Sequence, residues 1–527
     1  HDPHIPPDET GIDRREFLRL STAVAAAGAL ASAGCQVPQE SIAAAHDMPE
    51  DLVDGLGPAR YFRTVLDGSP VQVKTREGRP ILVTPVTDDP SGRGLSARHH
   101  ASLMDLYDPD RATGPQSVRR GKGPVLASSW NVIGAEVVQQ LKTAGARAVL
   151  LTAPVSSPAL QRAIDSLRST SGLRHVTWSP IANPAVSEAW TAALGSTVAW
   201  RPRLAKADLV VGLGAEFLDR SDDGLDREFA QRRAPEGDGA TRMNRFIQFE
   251  GRLTLTGANA DRRIRVRDSR MASLGAALAH ELVVVRKLGP LAASMDVATA
   301  LTPFAIETTA SQVGVDAATL RTIANELANA HGRAVVLAGG SSSASASGAA
   351  TELCAVILNV TLGAFEAGLL EDPGPSTGVV GSVTELAALA RDMAAGSVSM
   401  VIVAGVNPVY DAPPALKVAE ALAKVPMVVS LNDRIDETTG CADSMAPASH
   451  AFECWSDGTL PRGIMAVQQP VVQPLADSRG LLDVFVDWAA ALGDADALAA
   501  VTAATTPTPA PAPATAQRAP SRSLAFH

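Results

Sequence analysis

Short, unbroken apolar runs alternate with amphipathic stretches along most of this chain. Ala148-Val149-Leu150-Leu151, Asp208-Leu209-Val210-Val211-Gly212, Ala334-Val335-Val336-Leu337-Ala338 and Met400-Val401-Ile402-Val403-Ala404 are such runs, and Pro426 to Leu431 is another. Runs this short and continuous mark strands with both faces covered, as in a parallel sheet. Between them, Pro158 to Thr170, Met271 to Leu288, Asp316 to Ala330 and Ala415 to Lys424 carry a helical period, and a further helix runs through Leu358. Strands alternating with helices predict two doubly wound α/β lobes.

The flanks have a different texture. Arg60 to Leu66 and Val71 to Thr75 read as short strands joined by Asp67-Gly68-Ser69-Pro70, and Gly78-Arg79-Pro80 turns the chain into Ile81-Leu82-Val83. After about Leu492 the composition becomes Ala/Thr/Pro, an extended tail. The expected organisation is a leader over 1–35, a β-rich region over 36–122, a first lobe over 123–290, a second over 291–495 and a tail over 496–527.

The leader has a chemistry of its own. Asp13-Arg14-Arg15-Glu16-Phe17-Leu18-Arg19 is a twin-arginine pattern, with Arg14, Arg15, Phe17 and Leu18 as its signal residues. The apolar stretch Leu20 to Gly34 behind it is shorter than the roughly 20 residues needed to span a bilayer, and it has no polar face. It reads as an export signal directing the protein to the periplasmic face of the bacterial inner membrane. Cys35 is a candidate lipid attachment point, against the alternative of an unmodified thiol. Ser32 stands where a lipoprotein signal usually has Leu.

Composition narrows the function. Forty-six Lys and Arg against 56 Asp and Glu leave a net charge of −10, which disfavours nucleic acid as a partner because phosphate contacts need clustered cations. Four cysteines in 527 residues exclude a disulfide scaffold. One four-thiolate iron–sulfur centre would consume all of them. They show no C-x-x-C spacing: Cys354 lies in an apolar helix, and Cys441 and Cys454 either pair or stay free.

Other candidates are sparse. Gly212-Leu213-Gly214 follows a strand, but Phe217 stands where a dinucleotide fingerprint needs its third glycine. Gly339-Gly340-Ser341-Ser342-Ser343 follows another strand and could present backbone amides to phosphate, or be a plain strand–helix junction. His99, His100 and His450 have no ligand partners at helical spacing. Asp436, Glu437, Thr438 and Asp443 near His450 read as paired carboxylates for acid–base work or, more simply, as capping side chains. No catalytic, cofactor-binding or metal residue is assigned.

An ordered series of segments carries a family resemblance. It runs from Arg14-Arg15-Glu16-Phe17-Leu18 and Gly34-Cys35 through Pro49-Glu50-Asp51-Leu52-Val53, Tyr61-Phe62-Arg63-Thr64 and Arg76-Glu77-Gly78-Arg79-Pro80. It continues through Asp105-Leu106-Tyr107-Asp108-Pro109-Asp110-Arg111, the stretch Leu253 to Arg263 and Gly405-Val406-Asn407-Pro408-Val409-Tyr410. It ends with Leu431-Asn432-Asp433-Arg434-Ile435-Asp436-Glu437-Thr438, Gln469-Pro470 and Pro474 to Arg479. The series resembles the molybdopterin-oxidoreductase-like B subunit of bacterial alternative complex III, a quinol-oxidising membrane complex of the respiratory chain.

The resemblance implies a molybdopterin-oxidoreductase-like fold without that cofactor. It also implies partners: an iron–sulfur ferredoxin-like subunit, multihaem cytochrome c subunits bearing haem c, and integral membrane quinol-binding subunits. Two departures matter. No cysteine lies between Cys35 and Cys354, where active relatives carry a cluster motif, and none follows Cys454, where the family continues into a ferredoxin-like part. That part is expected either in a separate chain or outside this sequence. The expectation is a structural subunit, itself not catalytic, of a quinol-oxidising oxidoreductase. The alternatives are an active molybdenum-pterin enzyme of polysulfide or thiosulfate reductase type, with a bis-pterin near Ser341 to Ser347, and a two-lobed periplasmic solute-binding protein.

Overall fold

A computed structural model describes residues 59–87, 89, 94–196, 198–219, 224–234, 243–372, 381–460, 464–497 and 499. Arg14, Arg15, Phe17, Leu18, Cys35 and the Pro/Ala tail beyond 499 lie outside the described residues.

The strands in chain order are β1 (Arg60–Leu66), β2 (Ser69–Arg76), β3 (Arg79–Pro85), β4 (Gln116–Ser117), β5 (Leu126–Ala127), β6 (Ala148–Thr152), β7 (Arg174–Thr177), β8 (Arg201–Pro202) and β9 (Leu209–Leu213). They continue as β10 (Arg245–Glu250), β11 (Arg262–Arg265), β12 (Ala334–Ala338), β13 (Leu370–Glu371), β14 (Met400–Ala404), β15 (Met427–Ser430), β16 (Ser444–Met445), β17 (Ser456–Leu460) and β18 (Ile464–Gln468). The β-rich N-terminal region is the antiparallel sheet β1-β2-β3, whose turn pairs Leu66 with Ser69. Two larger sheets form the body. One has the order β11-β10-β9-β12 and is parallel throughout. The other has the order β5-β4-β16-β15-β14-β6-β7, parallel from β16 to β7.

Strand pairing crosses the lobe boundary expected at residue 290. The chain lays down β4 to β7, leaves to build the four-stranded sheet, and returns with β14 to β16. The larger lobe is therefore discontinuous in sequence. Local periodicity identifies strands, but pairing across more than 200 residues, such as Met400 with Ala148, leaves no local signature.

Both parallel sheets bury both faces. In the four-stranded sheet Leu209, Val211, Leu213, Ile247 and Phe249 pack on one side. Val210, Phe246, Val335 and Leu337 pack on the other, with Phe217 and Phe229. In the seven-stranded sheet Leu150, Ile402 and Val429 face one helical layer, and Val149, Leu151, Val401, Val403 and Val428 face the second. Alternate side chains of a strand point to opposite faces, so a strand covered on both sides is largely apolar, and the polar side chains it buries, such as Gln248 and Glu250, carry hydrogen-bond partners.

The helix Pro158–Ser171 shows how local chemistry fixes an element. Ser157 accepts from the Leu160 amide at 3.0 Å, Pro158 opens the first turn, and Gly172 ends it at φ +73°. Two expected helices are broken. Met271 to Leu288 is α-helical only over Met271–Ala279 and widens into a π-helix over His280–Val285. Ala415 to Lys424 splits at Lys417, which sits at φ +49° between the 3₁₀ turn Pro414–Leu416 and the helix Val418–Leu422. That break turns Val418, Ala421 and Leu422 into the core, where burial outweighs helical propensity. Among the described residues no helix is long and apolar enough to cross a membrane.

Candidate functional site at the carboxyl ends of the parallel strands

In open α/β sheets, ligands sit in the crevice outside the carboxyl ends of the strands. In the four-stranded sheet those ends lead into Gly214-Ala215-Glu216 after β9, Gly251-Arg252 after β10, Val266-Arg267-Asp268 after β11 and Gly339-Gly340-Ser341 after β12.

The glycines of these turns are filled from inside the protein. A Cβ on Gly212 would lie 1.8 Å from the side-chain oxygen of Gln248, which is fully buried and donates to the Ala215 carbonyl at 2.8 Å. A Cβ on Gly214 would lie 2.3 Å from Oγ of Ser342, whose hydroxyl donates to the Leu213 carbonyl at 2.9 Å. The Gly-x-Gly at the end of β9 therefore admits internal polar side chains. Gly257 serves the same end: its Cβ would meet the Glu250 carboxylate at 2.0 Å. Glu250 accepts from Thr254 Oγ1 at 2.7 Å and pairs with Arg263.

Glu216 occupies the Gly339–Ser341 turn. Its carboxylate accepts from the Ser341 amide at 3.2 Å and from the Ser341 hydroxyl at 3.3 Å. Arg252 donates to both oxygens, at 2.9 and 3.0 Å. A Cβ on Gly340 would lie 2.4 Å from the Glu216 carboxyl carbon. The Glu216 side chain is only 9% exposed, whereas that of Arg252 is 66% exposed and closes the clamp from the solvent side. Behind this turn lies a cavity of about 300 Å³, bordered by Trp190, Trp200, Phe217, Glu216, Gly340 and Glu352. Ser343 donates to Glu352, whose burial pushes its pKa above the ordinary carboxylate value.

At the crest of the seven-stranded sheet, the acidic cluster expected near His450 is dispersed. Asp436 accepts from Asn432 at 2.8 Å and from the Thr439 amide at 2.6 Å, and Glu437 accepts from Asn407 at 2.7 Å. Asp443 is chelated by Arg120 at 2.6 and 2.7 Å and accepts from the Val428 amide. Each carboxylate has its own donors, as capping side chains do. The His450 Nδ1 accepts from the Phe452 amide at 3.1 Å, and burial lowers its pKa, with Arg111 adding to the effect. His99 Nδ1 accepts from the Ser96 amide at 2.9 Å, and His100 is exposed.

Cys354, Cys441 and Cys454 are free thiols, so Cys441 and Cys454 do not form the disulfide that sequence left open. Burial pushes Cys354 and Cys454 up to about 12. Among the described residues no three His, Cys, Asp or Glu side chains converge to hold a metal ion.

Sequence reading missed Glu216, Arg252, Gln248 and Glu250. For Glu216 and Arg252 the local trace is a glycine followed by a charged residue just beyond a strand end, whereas Gln248 and Glu250 lie within β10. It did find two segments that meet. Asp105–Arg111 and Leu431–Thr438 come together where the Ala112 amide donates to the Asp433 carbonyl at 2.8 Å and Arg434 donates to Asp108 at 2.6 Å.

No family model matches the chain. The chain is 26% identical over 447 residues to the menaquinone reductase, molybdopterin-binding-like subunit of Nitratidesulfovibrio vulgaris, a match covering 81% of this chain and 64% of that protein. In structure it is similar to acetylene hydratase from Pelobacter acetylenicus, with a TM-score of 0.68 at 14% identity, over 83% of this chain and 70% of that one. The fold is molybdopterin-oxidoreductase-like. This chain thus spans about two thirds of the curated relative's length.

Such a fold implies a pterin dinucleotide, whose phosphates need free amides and cations at the crest. Here the Ser341 amide and the Arg252 guanidinium are both taken by Glu216. The adjoining cavity of about 300 Å³ lies at the lower end of the range for a single drug-sized ligand. The residues of the four-stranded crest do not fit the group.

Proposed function

We propose that this chain is a cofactor-free structural subunit of a membrane quinone oxidoreductase of the alternative complex III type. The observation that carries this reading is the similarity over 447 residues to a menaquinone reductase subunit that is itself molybdopterin-binding-like. The occupied crest supports the cofactor-free part of it. In this reading the complex sits on the periplasmic face of the bacterial inner membrane. The chain holds an iron–sulfur ferredoxin-like partner beside multihaem cytochrome c and quinol-binding integral subunits, and electrons pass through those partners.

The physical basis is rigidity. Two sheets packed on both faces provide a dense body on which neighbouring redox centres can be held at fixed distances. The leader with Arg14 and Arg15 supports export, and Cys35 is the proposed lipid anchor.

The test is metal and pterin analysis of the complex purified from membranes, together with cross-linking mass spectrometry on the same sample. The expected result is no molybdenum or pterin in this chain, and cross-links from it to subunits bearing haem c and iron–sulfur clusters. Stoichiometric molybdenum in this chain, or a monomer without quinone-linked partners, overturns the proposal.

A further inference from the structure

At the crest of the four-stranded sheet, the glycine turn after β12 directs a backbone amide and a hydroxyl to one anionic group. Gly339 and Gly340 both have positive φ, at +150° and +58°, and the Ser341 amide and hydroxyl that follow converge on one point. A backbone amide and a hydroxyl aimed at one point attract an anion. An external phosphate would find such a turn with its donors unpaired. Here they are already paired.

Three independent features show that Glu216 is built into the cradle. First, its carboxylate is nearly buried yet fully provided with donors, two from Ser341 and two from Arg252. Second, Gly340 must lack a side chain for the Glu216 carboxyl to lie where it does. Third, the backbone leading to Glu216 is held by the neighbouring strand: the Gly214 amide donates to the Phe249 carbonyl at 2.8 Å, and Gln248 holds the Ala215 carbonyl. A side chain aimed by this many contacts is fixed in place before any ligand arrives.

We infer that Glu216 is a resident anion that stands in for a ligand phosphate, and that the Glu216–Arg252 clamp closes this crest to nucleotide and pterin diphosphates. The inference deepens the cofactor-free reading and rests on it, because it names the residues that keep the crest shut. Two negative groups cannot share one set of donors. Binding of a diphosphate requires Glu216 to leave and Arg252 to turn to the newcomer. Removal of the carboxylate leaves the cradle and the guanidinium free for a doubly charged oxyanion.

The experiment is isothermal titration of the full chain with inorganic pyrophosphate, comparing wild type with Glu216→Ala. Glu216→Ser is measured alongside as a second truncation, its side chain too short to fill the place of the carboxylate. Circular dichroism verifies folding of each. The wild type is expected to show no saturable uptake. Both variants are expected to bind pyrophosphate about tenfold or more tightly than any wild-type association, and adding Arg252→Gln should abolish the gain. Folded variants that take up no pyrophosphate, or a wild type that binds as well as they do, overturn the plug. Acid extraction of the native complex for pterin fluorescence separates the two claims. Pterin in the wild-type chain overturns the cofactor-free reading, whereas a pterin-free wild type with non-binding variants overturns the plug alone.

Discussion

Arg111 and Glu453 form the most deeply buried ion pair described in this fold. Their side chains are 7% and 0% exposed, and Arg111 donates to the two carboxylate oxygens at 3.1 and 2.7 Å. Glu453 also accepts from the amides of Leu475 at 3.0 Å and His450 at 2.8 Å, and Arg111 donates to the Leu106 carbonyl at 2.9 Å. The pair therefore ties three sequence-distant segments together. Glu453→Ala leaves the buried guanidinium with only the more distant Asp433 carboxylate, at 3.8 Å, as counter-charge, and breaking a buried pair costs about 3–5 kcal/mol. Unfolding entropy is about 2.1 cal/mol/K per residue, so for 527 residues the loss lowers Tm by about 3–5 °C.

Calorimetry of wild type, Glu453→Ala, Arg111→Met and the double variant Arg111→Met/Glu453→Leu measures this. Each single variant should fall by that amount, and the double variant should recover most of the loss, because replacing both charges by apolar groups removes the unpaired one. Single variants within about 1 °C of wild type, or a double variant as unstable as the summed singles, refute the argument. The pH dependence has a definite sign. Burial alone would raise the Glu453 pKa, but Arg111 and the two amides outweigh it and hold it below the ordinary value. The stabilisation is thus complete above about pH 4.3, the unfolded value, and is lost as pH falls through the lower folded one. The gap between wild type and Glu453→Gln should narrow in acid.

Other outcomes follow from the same contacts. Iodoacetamide at pH 8 should label Cys441 first among the described thiols, because Cys354 and Cys454 are pushed up to about 12 and react only on unfolding; peptide mass spectrometry reads the order. Gly212→Ala should destabilise by about 1–3 kcal/mol in urea melts, since the new methyl meets Gln248. Glu352→Gln should match or exceed wild type at pH 8 and lose that advantage at pH 4. Burial raises the Glu352 pKa, so its favourable neutral form is present at low pH and is lost as pH rises through the folded value. Denaturant midpoints at the two pH values check this.

Much of the architecture was readable along the chain. Ala334 to Ala338 and Met400 to Ala404 coincide with β12 and β14, because a strand covered on both faces is apolar at most positions. The sheet β1-β2-β3 was equally legible from its turn residues. The acidic residues Asp436, Glu437 and Asp443 were legible as part of a loop rich in capping groups, although their division among Asn432, Asn407 and Arg120 was not.

What sequence alone determined was the list of buried strands, the flanking helices and the poverty in thiols. Each follows from a property of neighbouring residues. Tertiary structure decided which strands share a sheet, so that β14 returns to β6 across the whole intervening lobe. It also decided what the glycine-rich turns hold. Glu216 and Ser341 are 125 positions apart, and hydrogen bonding depends on distance in space. Only the packed fold could show that the turn after β12 contains a carboxylate of its own.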